Sequence, residues 1–206
     1  MAASLLAETA SFVVVLLFLS TMRQSGFSVI ELLAVSAISV IVIGIGFPVF
    51  QSTSDTLRVR GAIRSVQTEL QAARHRAVSS QRPVRVRFNC PAAGEFRVVE
   101  LIGSTSEPDP ADAASDRCSE SRYPYPAADT NVLTRPNFDG PIRRLPREVA
   151  FVNPGTIEFW PDGTAHMDQG TNPWATIPPA GISITAANST TSRSVSINGL
   201  GKLQAQ

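Results

Sequence analysis

The chain has 206 residues, room for one domain of about 150 residues and a further helical element. Its 18 Lys and Arg nearly balance its 17 Asp and Glu, which excludes a global pull toward nucleic acid or acidic lipid. Two cysteines and two histidines, with no Cys-x-x-Cys, His-Glu-x-x-His or Gly-x-Ser-x-Gly pattern, exclude the common redox, metal and nucleophile motifs, so no catalytic residue, metal or cofactor is expected.

Residues 1–21 contain an apolar stretch at 11–19. It is short for a membrane span and lacks the basic start of a secretory signal. Met22-Arg-Gln-Ser-Gly26 then reads as a second start, with 1–21 an over-extended beginning; the other reading is one long leader. Across residues 27–50 the only polar side chains are Ser28, Glu31, Ser36 and Ser39. As a helix this run is about 36 Å long, enough for a hydrocarbon core of about 30 Å. A carboxylate inside lipid costs at least about 2.5 kcal/mol, so Glu31 reads as functional, with a partner elsewhere. Gly44, Gly46 and Pro48 each weaken the helix and predict a kink near its apolar end.

The residues Gly26-Phe-Ser-Val-Ile-Glu-Leu-Leu33, followed by that run, resemble the class III signal of type IV pilins and type II secretion pseudopilins. Ser28 and Val29 are a mild variation on the usual pattern. The resemblance implies cleavage after Gly26 by a prepilin peptidase and N-methylation of Phe27. It also implies an assembly contact in which Glu31 meets the Phe27 amine of a neighbouring subunit. Residues 1–26 are then a leader, 27–50 a single-pass inner-membrane helix that becomes filament core, and 51–80 its amphipathic continuation. Residues 81–206 become a periplasmic domain rich in β-structure.

After Ser54 the apolar pattern narrows to one stripe, Leu57, Ile63, Val66, Leu70, Ala73 and Ala77, the signature of a helix laid on a core. Leu70-x-x-Ala-Arg74-x-x-Ala77 is similar to the GspH/FimT branch of the pilin-like families. Arg82-Pro83 closes the helix. Val84, Val86 and Phe88 alternate with Arg85 and Arg87 as a half-buried strand, and residues 96–102 form its partner across a turn at Ala92-Ala-Gly94. Residues 103–130 lack periodicity and read as a long surface loop. Glu95 and Glu100 read as surface carboxylates. Cys118 lies inside this loop and Cys90 at the end of the preceding strand. Spacing does not decide their state, but the periplasm that the resemblance implies permits a Cys90–Cys118 disulfide.

Residues 149–151 are a short strand. Thr156 to Trp160 alternates, Pro161-Asp-Gly163 turns, and Thr164 to Met167 returns. Residues 181–186 and 194–198 form a second hairpin. Phe159-x-Pro-Asp-Gly163 and Arg193-x-Val-x-Ile-x-x-x-Gly201 are again similar to the GspH/FimT domain. The fold class is therefore α+β, a long N-terminal helix on an antiparallel sheet. The resemblance implies a structural subunit of a type II secretion pseudopilus, with other pseudopilins, the prepilin peptidase and the inner membrane as partners. The alternative is a minor pilin of a type IV pilus that contacts DNA in competence. Arg74, Arg76, Arg82, Arg85 and Arg87 are the candidate phosphate contacts, a cluster without an interposed acid. Against DNA, the C-terminal end after Gly199 carries a single cation, Lys202.

Overall fold

A computed structural model describes residues 28–127, 131, 136–170, 173–189 and 191–205, with the side chains of 45, 46, 48 and 49 not described. The chain divides into two compact units, Met1–Val49 and Phe50–Gln206. One helix, α1, runs Val29–Ser80, with helical backbone maintained through Gly44, Gly46 and Pro48. It stops for local reasons. Gln81 adopts the left-handed region at φ 53°, the Arg82 amide reaches back to the Ala77 carbonyl at 3.2 Å, and Pro83 cannot continue the ladder.

The second unit carries ten strands among the described residues. They are β1 (Val84–Phe88), β2 (Glu95–Glu100), β3 (Arg143–Arg144), β4 (Ala150–Val152), β5 (Ile157–Phe159), β6 (Ala165–Met167), β7 (Ala175–Thr176), β8 (Ile182–Ala187), β9 (Ser192–Ile197) and β10 (Leu203–Ala205). The larger sheet has the order β3-β2-β1-β5-β6-β7 and the smaller β10-β9-β8-β4, and every strand pair is antiparallel. All three expected hairpins are present, β1–β2 with Val86 opposite Val98, β5–β6 around Gly163 and β8–β9 with Ile184 opposite Val195.

Within this unit α1 buries Val59, Ala62, Ile63, Val66, Leu70, Ala73 and Ala77. The expected stripe included Leu57, which is instead exposed; Val59 and Ala62 supply the missing turn and restore the three- and four-residue steps. Against this face pack the inward residues of both sheets, including Val86, Ile157, Phe159, Ile184 and Ile197. Phe151 of the smaller sheet meets Phe88 and Phe96 of the larger one, with ring centroids 4.9 and 5.7 Å away. Such edge-on contacts join the sheets at one end of the core.

The other face of the larger sheet departs from expectation. Residues 103–127 are not a loose loop: they form a helical turn, α2 (Pro110–Ala113), and a 3-10 turn (Ser115–Cys118) that cover the sheet. Asp109 caps α2 by accepting from the Ala111 amide, and the Asp112 carboxylate accepts from the amides of Ile102 and Gly103. The sheet meets this cover with guanidinium groups. Arg85 donates to the Asp112 carbonyl, Arg87 to Ala114, and Arg97 to Cys118, Tyr123 and Gly140. Strand alternation marks these arginines as outward, yet outward here faces protein. Burial pushes the Arg87 and Arg97 pKa values below the ordinary arginine range, with desolvation the first cause in both.

Glu95 and Glu100 are buried rather than on the surface. Glu100 accepts from Arg82 at 2.7 Å and from the amides of Asn137 and Phe138. Arg117, fully buried, forms a two-pronged pair with Asp139 at 2.5 and 2.9 Å and donates to the Glu100 carbonyl. Cys90 and Cys118 are joined in a disulfide that fastens the cover to the end of β1. Replacing both with Ser is expected to lower stability by about 3–4 kcal/mol, chiefly through the freed loop. Urea denaturation of the two forms checks this, and equal midpoints would refute it.

Candidate assembly surface and the arginine clasp

Among the described residues, the helix of the first unit leaves its large apolar side chains mostly exposed. Val29 is 78% exposed, and Ile30, Leu32, Leu33, Val40, Ile43 and Phe47 are likewise open. In an ordinary soluble protein an apolar surface of this extent marks a site of interaction. Its few polar groups are arranged for an apolar neighbourhood. The Ser36 hydroxyl donates to the Leu33 carbonyl and the Ser39 hydroxyl to the Val35 carbonyl, so each spends its proton within its own helix. Glu31 stands in the first turn, where a negative charge complements the helix N-terminus. Gly26 and Phe27 lie outside the described residues. Among the described residues, no helix is long and apolar enough to cross a membrane; the expected run of 27–50 includes Phe27 and four side chains that are not described.

The five candidate phosphate-contacting arginines do not share one exposed patch. Arg85 is buried, pairs with Glu158 at 3.0 Å and lies 4.2 Å from the Trp174 ring centroid. Arg82 pairs with Glu100, Arg87 serves the Ala114 carbonyl and Arg76 donates to the Phe138 carbonyl at 2.9 Å. These side chains hold the cover and the helix end to the sheet.

Arg74 has a different task. It donates through Nε to the Gly163 carbonyl at 3.0 Å. Gly201 lies against the same side chain: a Cβ there would sit 2.6 Å from Arg74 Nε and 2.7 Å from the Gly163 oxygen. Both glycines have positive φ, 83° and 68°. Three separate motifs, Ala73-Arg74, Pro161-Asp-Gly163 and Gly201, therefore meet in one clasp joining the helix to both sheets. Asp162 fixes the turn by accepting from the Thr164 hydroxyl and amide. The hydroxyl bond is the first cause holding its carboxyl below the usual range. The stability this contributes is present above the unfolded carboxyl range and is lost as pH falls through the lowered folded value. Gly201→Ala combines left-handed strain with a clash against backbone and is expected to lower stability by about 2 kcal/mol or more. An unchanged urea midpoint would contradict the clasp.

A long helix laid on antiparallel sheets, with an apolar helical surface left open, defines a pilin-like α+β protein. The structure is similar to the minor pseudopilin EpsH from the Type 2 Secretion System of Vibrio cholerae, at 9% identity and a TM-score of 0.41, covering 72% of this chain and 96% of that one. It is also similar to the type IV minor pilin FimU of Pseudomonas aeruginosa, at 12% identity and a TM-score of 0.43, covering 75% and 92%. No curated protein matches the sequence. Residues 62–201 match the family described as Type II transport protein GspH, and the chain belongs to that family. Members are minor pilin-like structural subunits that assemble with other pilins, not enzymes.

Proposed function

We propose that the chain is a minor pseudopilin, cut after Gly26 by prepilin peptidase, N-methylated at Phe27 and built into a type II secretion pseudopilus. Residues 27–50 anchor it in the inner membrane before assembly, with residues 81–206 in the periplasm. The open apolar helix with Glu31 in its first turn carries the reading. Such a surface has no stable place in water, and lipid followed by the helical core of a filament are two apolar places that would cover it. The family match, to a type II transport protein, supports the secretion system.

The test begins with processing. Coexpressed with a prepilin peptidase, the full chain is expected to yield a product starting at N-methyl-Phe27 by mass spectrometry. Gly26→Trp is expected to remain precursor. Cleavage elsewhere would overturn the leader. Deletion of the gene from its own host then assigns the filament: lost secretion of exoproteins with normal surface motility supports the pseudopilus, whereas lost motility with normal secretion assigns a type IV pilus.

A further inference from the structure

Beside the Arg74 clasp lies an open groove of about 690 Å³, between the last turns of α1 and the segment leading into β10. Its apolar floor comprises Val78, Leu200 and Leu203, and its polar rim includes Arg74, His75 and Lys202. No carboxylate lines it among the described residues. Leu200 is 74% exposed and Val78 41%, although both sit beside a densely buried core. His75 and Lys202 are exposed as well. The frame is fixed, because Gly201 at its edge is held against Arg74 and Gly163 with no room for a Cβ. Leu200 is carried on the same short turn, where the Gly201 amide donates to Asn198 and the Lys202 amide to the Asn198 side chain.

We propose that this groove docks an acidic, apolar peptide segment of a partner protein, with leucine-like side chains on the floor and carboxylates toward Lys202, His75 and Arg74. Complementarity of both charge and apolarity points to this occupant. A nucleic acid is the poorer fit. Among the described residues no Phe, Tyr or Trp lines the groove to stack a base, three exposed or half-exposed apolar side chains would face phosphates, and the basic groups form a short rim rather than a stripe along a backbone. The proposal is independent of which filament the chain enters, since it concerns a face of the second unit and not the apolar helix.

The experiment uses the full chain in detergent micelles and fluorescence anisotropy with three probes: the labelled peptide Asp-Leu-Glu-Leu-Asp-Leu-Glu, its Lys-for-acid counterpart and a labelled 20-base-pair DNA duplex. The acidic peptide is expected to bind, more weakly as salt rises. Leu200→Glu and Lys202→Glu are each expected to weaken it at least tenfold. Both side chains are exposed, so the fold is retained, and circular dichroism verifies this. Equal binding of the acidic peptide by wild type and both variants, or no binding at low salt, overturns the proposal. So does preferential binding of the Lys peptide or the duplex.

Discussion

Asp139→Ala is expected to lower the stability of the second unit by about 3–5 kcal/mol. The reason is the position of Arg117. Its guanidinium has no solvent exposure, and two of its nitrogens rest on the Asp139 carboxylate. The other nearby carboxylate, Asp112, is 3.8 Å from Nε, too far for a hydrogen bond, and is already used by two backbone amides. Arginine does not escape by losing its proton, so removal of Asp139 strands a buried cation. It also orphans the Glu100 amide, which donates to Asp139 Oδ1 at 2.8 Å. Asp139→Asn keeps an oxygen for that amide and is expected to cost less. Arg117→Met combined with Asp139→Leu removes both charges and should recover much of the loss, since a desolvated pair contributes far less than breaking one side removes. Urea denaturation ranks the three variants. An Asp139→Ala form within about 1 kcal/mol of wild type would show that the pair is not isolated from water. Hydrogen exchange locates the damage, with protection lost first in residues 103–127 while the core helix stays protected, because the cover is held mainly by these polar contacts.

The same residues mark how far the sequence could be read. Periodicity revealed the helix, both distal hairpins and the apolar face of β1, because each depends on a repeating pattern of burial. It misassigned the other face of β1 because Val-Arg-Val-Arg-Phe looks identical whether the arginines meet water or a layer of carbonyl oxygens. The cover itself has no repeat to detect. Its order comes from Asp109 and Asp112 capping backbone amides, from carbonyls of Asp112, Ala114 and Cys118 facing guanidinium groups, and from one disulfide. Those are pairings between distant residues, and composition reports them only as a polar loop. The arginine cluster divides for a related reason: Arg74, Arg76 and Arg82 lie at the end of α1 and the turn after it, whereas Arg85 and Arg87 share the covered face of β1, so proximity along the chain did not become one surface. By contrast, Arg74, Gly163 and Gly201 were visible as motif residues, but only the fold shows that one contact accounts for all three.

Glu31→Gln is expected to leave cleavage after Gly26 intact and to reduce incorporation into filaments by at least tenfold. Gln keeps the size of Glu and one acceptor oxygen for an amine, loses the charge and exchanges the other oxygen for an NH2 donor, so the variant tests the electrostatic part of the proposed contact with little change in shape. In the proposed assembly the Phe27 amine of one subunit and the Glu31 carboxylate of another would each lack water. Paired, they offset one another's desolvation; with Gln in place of Glu, the amine is left uncompensated at several kcal/mol. A tenfold change needs only about 1.4 kcal/mol, so a modest fraction of that penalty suffices. The proposed pairing would also link register to processing, because an amine at Phe27 would exist only once the leader is removed. Quantitative mass spectrometry of sheared filaments, with precursor and mature chain resolved by N-terminal peptide, separates the two steps. Gly26→Trp should stop at the precursor, whereas Glu31→Gln should be mature and remain outside the filament. Normal incorporation of mature Glu31→Gln would remove the charge pairing from the assembly reading, leaving apolar packing of residues 29–50 as its driving force.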